Sequence, residues 1–322
     1  MSYNVVLLDM TSPARADRLR AFLPPDFVLT HGTERGDEHM KTIIRDADFA
    51  ISGQVGVSGE VLRAATRLKL LHKWGVGVDN LDVATARELG IKVARTTGSN
   101  ALPVAEFAIG LMLSTLRFQA LGHERLRQGH WIAYNQMPGE TFLLSGRTVG
   151  IVGLGAIGQN VAKLLKGFSC RILYTQRTRL PAPDEQVLGV EYAALPELLS
   201  TSDIVSLHCP LTPETSNMIN TVSLARMKRT AILVNVARGG VVAEADLADA
   251  LRRRVIRGAA MDVYSIEPLP ADSELLKLDN IVVTPHLAAA TADTFEPTVR
   301  RMFENMARVT RGEAVPAKDL VV

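Results

Sequence analysis

Three residues whose types could bind a small acid and move a proton on it each follow a short apolar run. Arg238 comes after the run 231–236, Glu267 after 258–263 and His286 after 281–284. A guanidinium can grip a carboxylate through two parallel hydrogen bonds and polarise the neighbouring carbonyl. An imidazole can give a proton to that carbonyl oxygen in reduction and take it back in oxidation. A carboxylate bonded to the imidazole fixes its tautomer and raises its pKa towards neutrality. Singly these are a surface arginine, a solvated glutamate and a strand-end histidine. Together, at the ends of strands that would share one sheet edge, they are the set that hydride transfer to a keto acid requires.

A hydride needs a carrier, and a second motif provides for one. Gly153, Gly155 and Gly158 form G-x-G-x-x-G, with Ala156 and Ile157 between the last two, where the apolar run 148–154 meets a helical pattern over 156–168. The first glycine makes the tight turn, the second admits the pyrophosphate, and the third lets helix and strand pack closely. The helix N-terminus then presents free N–H groups to the phosphates. The motif alone is weak, but here a strand precedes it and a helix and a further strand, 171–175, follow. That next strand leads into Thr175-Gln176-Arg177-Thr178-Arg179, with no acid before Asp184. An acid there would hold a ribose 2′-hydroxyl, whereas Arg177 or Arg179 could pair with a 2′-phosphate. The sequence therefore favours NADP(H) over NAD(H).

The elements that must position these groups are legible as alternation. Short β-branched runs at 5–9, 27–30, 49–52, 68–72 and 92–94 are separated by helical patterns, and the alternation resumes at 148–154, 171–175, 204–208, 231–236, 258–263 and 281–284. This predicts an α/β protein with two parallel sheets. Between them a helix is expected over 103–117, with Asn100 as its N-cap and Pro103 in its first turn, followed by a loop of mixed character. One further amphipathic helix carries Phe295, Val299, Met302, Phe303, Met306 and Val309 on one face and must dock on existing structure.

Bulk properties narrow the class. The 322 residues are 47 % hydrophobic and 22 % charged, enough for two cores, and the net charge of +2 offers no electrostatic footprint for nucleic acid or an anionic membrane. Cys170 and Cys209 are the only cysteines, which excludes a disulfide scaffold and fits a reducing compartment. The opening residues have no basic leader or cleavage site, and the apolar stretch 101–116 is interrupted by Pro103 and Glu106. A cytoplasmic protein is expected. His31, His39, His123 and His130 lack ligand spacing, so no metal is expected.

The chain resembles the D-isomer-specific 2-hydroxyacid dehydrogenase family, which includes glyoxylate/hydroxypyruvate reductases and phosphoglycerate dehydrogenases. The likeness runs through Gly75-Val76-Gly77-Val78-Asp79-Asn80, Asn100 with Val104-Ala105-Glu106, the glycine motif, His208-Cys209-Pro210-Leu211-Thr212, Asn235-Val236-Ala237-Arg238-Gly239-Gly240, Asp262 through Glu267-Pro268, and Thr284-Pro285-His286. The resemblance implies a Rossmann dinucleotide-binding domain (100–286) inserted into a flavodoxin-like substrate domain (1–99 with 287–322), completed by the last helix. It also implies a homodimer formed through the helix at 103–117 and its neighbours. It assigns Arg238 to substrate binding, Glu267 as the acid partner and His286 as the acid/base. His208, Pro210, Thr212, Ala237 and Asp262 fall to the cofactor pocket, Asp262 near the nicotinamide carboxamide. Backbone N–H groups of Val76 and Gly77 are implied to hold the substrate carboxylate. Many relatives carry the ribose-binding Asp where Thr175 stands, which agrees with NADP(H). Where Ala288-Ala289 follow Leu287, glycine or serine is frequent among relatives.

On that footing Gln54, in Ser52-Gly53-Gln54-Val55-Gly56, and Trp74 are the candidate selectors of substrate. Neither that loop nor its flanks holds an arginine for a phosphate. A small unphosphorylated 2-keto acid such as glyoxylate or hydroxypyruvate is therefore expected. D-3-phosphoglycerate dehydrogenase, a dinucleotide-sensing corepressor-like binding protein, and oxidation of formate or phosphite are the competing readings. Lys73 is expected to be solvated, Cys209 a buried small hydrophobe, and His208 a structural or cofactor residue.

Overall fold

The computed structural model describes residues 2–322. The chain divides into two compact units, residues 1–100 with 290–322, and residues 101–289. Both are α/β, and every pair of neighbouring strands within each sheet is parallel.

The first unit is built on β1 (Tyr3–Met10), β2 (Phe27–Gly32), β3 (Phe49–Ser52), β4 (Leu70–Lys73) and β5 (Lys92–Arg95), in the order β2-β1-β3-β4-β5. This is the flavodoxin-like order. Its central strands are apolar on both faces because helices cover both sides: Phe49–Ser52 and Leu70–Lys73 are buried throughout. One face packs Val5, Leu7, Phe49 and Ile51 against Val299, Met302, Phe303 and Met306 of the helix Ala292–Thr310. The amphipathic face read from the sequence thus finds its partner within this unit. The other face packs Val6, Leu8, Ala50 and Leu71 against Met40, Ile44, Val61 and Leu62. Ser12, Ser58, Asp82 and Thr291 each cap a helix by accepting a bond from the third residue on.

The second unit carries β6 (Thr148–Val152), β7 (Arg171–Thr175), β8 (Glu191–Tyr192), β9 (Ile204–Leu207), β10 (Ile232–Asn235), β11 (Gly258–Met261) and β12 (Ile281–Val283). Their order is β12-β11-β10-β9-β6-β7-β8. Counted within the unit this is 3-2-1-4-5-6 plus a seventh strand, the Rossmann arrangement, with its switch point between β6 and β9. The helices Ala101–Arg117 and Ala156–Leu165 cover one face, burying Val104, Ala108, Met112, Val161 and Leu165. Leu198, Leu224, Leu247 and Leu251 cover the other.

Two local expectations fail. Asn100 does not cap the helix that follows it: its Oδ1 is buried and accepts no hydrogen bond among the described residues. The segment after Arg117 is not a loop throughout. Phe118, with φ of 53°, breaks the helix, and a second one runs Gln119–Arg127. Among the described residues no single helix is long and apolar enough to cross a membrane.

Candidate active site

All strands of the second sheet run parallel, so their C-terminal ends share one edge, and the residues singled out above within this unit collect there. β6 ends in the glycine motif, β7 in Thr175, β9 in His208, β10 in the Arg238 loop, β11 in Asp262 and β12 in the His286 loop. In the strand order, the glycine motif lies on one side of the switch point, and Arg238, Glu267 and His286 on the other.

The glycine motif has the shape a dinucleotide needs. Gly153 has φ of 95°, and a Cβ there would come within 2.7 Å of Cys209 N, so no larger residue fits the turn. A Cβ at Gly158 would run into the Gly153 carbonyl oxygen, which is how closely helix and turn pack. At Gly155 nothing lies within 4 Å of where a Cβ would stand, leaving open space directly before the helix Ala156–Leu165, where Ala156 is exposed and Ile157 packs into the core. Gln176 braces this turn, accepting from Leu154 N at 3.2 Å and donating to Thr178 O at 2.7 Å. His208 lies against Gly153 and is half-buried, with Nε2 2.8 Å from Ser206 Oγ and a buried Nδ1 that has no partner among the described residues. Burial pushes its imidazole down to about 3, so it is neutral. Beyond it, Thr215 ties the next loop together through Pro210 O and Thr212 N, and Thr212 donates to Glu214. A cradle only glycine can form and an orphaned buried ring nitrogen beside it fit a dinucleotide.

Beyond β7 the two arginines differ. Arg179 forms a two-pronged bond with Glu185, at 2.8 and 2.9 Å, and lies over the Tyr192 ring. Glu185 also accepts from Tyr174 Oη at 2.6 Å, and these bonds hold its carboxyl at about 2. Arg177 is exposed and makes no side-chain hydrogen bond or ion pair among the described residues. Thr175 is half-buried at the strand end, its carbonyl accepting from Gly153 N.

The trio is organised by residues that themselves do no chemistry. His286 Nδ1 lies 2.7 Å from Glu267 Oε2, while Glu267 Oε1 accepts from Tyr264 N at 3.0 Å. Burial works to raise the Glu267 carboxyl, but the His286 bond, the Tyr264 N–H and the charges of His286 and Arg238 bring it below the usual carboxylate range. An ionised Glu267 can only accept, so Nδ1 of His286 carries the proton of this bond. The His286 backbone is left-handed, with φ of 53°. Asp262, wholly buried, imposes that shape: its carboxylate accepts from Thr284 Oγ1, Leu287 N and Ala288 N at 2.6, 2.8 and 2.9 Å, and its carbonyl from His286 N. Tyr264 Oη bridges the Met261 and Thr284 carbonyls, fastening the ends of β11 and β12 together.

Arg238 is reached through Asn235, whose buried carboxamide takes Ala237 N and gives to Arg238 O. Gly239 explains how the Arg238 loop nears Glu267, since any Cβ there would collide with the Tyr264 backbone. Sequence reasoning does not single out Tyr264 or Asn235 as contributors, although Asn235 lies in one of the motifs that carry the family resemblance. Cys209 is buried in the core and its thiol is pushed up to about 11, as a small hydrophobe would be.

Gln54, Trp74, Val76 and Gly77 belong to the other unit, at the C-terminal edge of its sheet. Trp74 is half-buried, 5.7 Å from the Phe295 ring, with the Arg15 guanidinium 5.1 Å above it. Gly75 has φ of 139° and bonds Thr96, turning the chain so that Val76 and Gly77 follow with N–H groups that donate to no protein acceptor among the described residues. Lys73 is not solvated: it is 5 % exposed and its ammonium is held by Gly53 O and Asn80 Oδ1. No cluster of three or more His, Cys, Asp or Glu residues suited to a metal occurs among the described residues.

A Rossmann sheet whose edge carries a glycine cradle on one side and a paired histidine and carboxylate on the other defines a dinucleotide-dependent oxidoreductase. Residues 109–288 match the NAD-binding domain of the D-isomer-specific 2-hydroxyacid dehydrogenases. The chain is 42 % identical over 275 residues to the glyoxylate reductase of Korarchaeum cryptofilum, covering 85 % of this chain and 82 % of that one. It is 40 % identical over 260 residues to the hydroxypyruvate reductase of Thermotoga maritima, covering 80 % and 82 %. The crystal structure of the TT0316 protein from Thermus thermophilus superposes with a TM-score of 0.86 at 36 % identity, over 99 % of this chain and all of that one. The chain belongs to the D-isomer-specific 2-hydroxyacid dehydrogenase family and is an oxidoreductase acting on 2-hydroxy acids with a nicotinamide dinucleotide.

Proposed function

We propose that the protein reduces a small, unphosphorylated 2-keto acid of the glyoxylate or hydroxypyruvate type, using NADPH ahead of NADH. The observation that carries this reading is the 2.7 Å pairing of His286 with Glu267 beside the charge of Arg238. When bound, the dinucleotide supplies or accepts the hydride at the substrate's second carbon. His286 Nε2 gives its proton to the carbonyl oxygen, and Glu267 stabilises the ring in either protonation state. Arg238 grips the carboxylate and draws electron density from the carbonyl. Substrate selection is assigned to the loops carrying Gln54, Trp74, Val76 and Gly77. The two adjacent N–H groups at Val76 and Gly77 suit a carboxylate oxygen.

The preference for NADPH rests on Arg177. Arg179 is committed to Glu185, leaving Arg177 as the cation for a 2′-phosphate, and Thr175 offers no negative charge against one. We take the working form to be a cytoplasmic homodimer. The exposed apolar side chains of Leu126, Trp131, Tyr134 and Leu143, following the helix Ala101–Arg117, support burial against a second copy.

The test follows oxidation of NADPH and NADH against glyoxylate, hydroxypyruvate, pyruvate, 2-ketogluconate and 3-phosphohydroxypyruvate. Turnover of an unphosphorylated acid with NADPH, reduced about 10²–10⁴-fold in His286→Ala, is expected. Strong turnover of 3-phosphohydroxypyruvate would refute the substrate assignment, and preference for NADH would refute the cofactor assignment.

A further inference from the structure

The segment Gly53-Gln54-Val55, between β3 and the helix Gly59–Ala64, has no regular structure, yet each of its backbone polar groups is bonded to a side chain. The three N–H groups, of Gly53, Gln54 and Val55, all donate to the Asp9 carboxylate at the end of β1. Gly53 O accepts from the Lys73 ammonium. Gln54 O accepts from Asn80 Nδ2 at 3.0 Å, and Val55 O from Ser52 Oγ at 2.7 Å and Asn80 Nδ2 at 3.1 Å. Lys73 Nζ closes the ring by donating to Asn80 Oδ1 at 2.9 Å. An anion thus holds the donors of the loop while a buried cation holds an acceptor, each matched in sign to the groups it faces. Gly53 permits the approach, since a Cβ there would sit 3.0 Å from both Asp9 oxygens.

Lys73 ends β4, directly before Trp74 and the Gly75–Gly77 turn, and Asn80 follows that turn. The two residues therefore fasten the loop bearing Gln54 to the segment bearing Val76 and Gly77. A loop left to find its own conformation would present Gln54 in many positions; this one has no unsatisfied group with which to rearrange. We infer that Lys73, with Asp9 and Asn80, is a positioning residue that locks loop 53–55 to segment 74–80 and thereby sets which 2-keto acids are accepted. The inference rests on the substrate reading above.

Two measurements test it. In Lys73→Met, hydrogen exchange of the amides at 53–55 should accelerate at least about tenfold, with amides of the Ala156–Leu165 helix unchanged. In steady-state kinetics the same variant should raise KM for the 2-keto acid about tenfold, with kcat and KM for NADPH changing far less. If Lys73 acts through Gln54, the effects of Lys73→Met and Gln54→Ala on kcat/KM are non-additive. Unchanged exchange overturns the clamp, and additive effects overturn its role in selection. Should Lys73→Met fail to fold, Asn80→Ser removes the bridging carboxamide and gives the same comparison. Inactivity of the wild-type protein on every acid refutes the substrate reading, while exchange still decides whether the clamp exists.

Discussion

Replacing Asp262 by asparagine changes one atom in a wholly buried side chain and bears directly on His286, the proposed proton-transfer residue. In the native protein Oδ1 serves both Thr284 Oγ1 and Leu287 N, and Oδ2 serves Ala288 N. An asparagine has one accepting oxygen, so in either orientation its NH₂ points at a backbone N–H. One bond to a charged acceptor, worth about 1.5–3 kcal/mol, is lost and a buried donor is left unpaired, giving a cost of about 3 kcal/mol. For a unit of residues 101–289 that is a fall in Tm of about 6–12 °C. Leu287 and Ala288 are the two residues following His286, whose left-handed backbone these bonds define, so kcat should fall along with stability. Calorimetry and NADPH-linked kinetics on the variant provide the assay. A Tm within about 2 °C of wild type, with kcat unchanged, would refute the claim that this carboxylate shapes the histidine loop.

Three other outcomes are expected. Gly158→Ala should lose about 1–3 kcal/mol of stability from overpacking against Gly153 O, and NADPH binding followed by fluorescence should weaken with it. Arg177→Ala should weaken NADPH about 10–150-fold with little effect on NADH, the value of one charged hydrogen bond, whereas Arg179→Ala should leave that discrimination close to wild type because its fork faces Glu185. His72 is fully buried, and burial pushes its imidazole down to about 4, against about 6.5 when unfolded. The unfolded chain therefore binds the extra proton first, and up to about 3 kcal/mol of stability is lost as pH falls from about 6.5 to 4. Urea midpoints across that range should converge for wild type and His72→Gln as the pH drops.

The fold class was legible because strands buried on both faces read as unbroken apolar runs, as Phe49–Ser52 and Ile204–Leu207 do. The helix Gln119–Arg127 was not, and the reason is physical: none of its residues is buried, so it has no apolar stripe to detect. The glycine motif announced itself through types and spacing, and Arg238, Glu267 and His286 through their places after strands. What sequence could not supply was the support beneath them. Nothing in the run Leu70–Lys73 distinguishes a solvated lysine from one buried on Gly53 O and Asn80, because the partners come from two loops outside that strand and only the fold brings them onto the ammonium. Tyr264 is likewise defined by two carbonyls, Met261 O at the end of β11 and Thr284 O just past β12. The Asn100 cap fails because a residue suited to capping gains nothing when its oxygen makes no bond to the helix N–H groups.

The division of the chain also sets a schedule for folding during synthesis. Residues 101–289 form a unit from contiguous sequence, whereas the sheet of the first unit lacks Val299, Met302, Phe303 and Met306 until the ribosome has passed all of them. At about 5–20 residues per second, the strands β1 to β5 wait roughly 10–40 s for the helix that covers one face. During that interval Val5, Leu7, Phe49 and Ile51 are without their cover, a patch open to chaperones or to aggregation. The dinucleotide-binding unit meanwhile can finish folding, so the helix Ala292–Thr310 governs when the earlier-made sheet β1–β5 becomes safe.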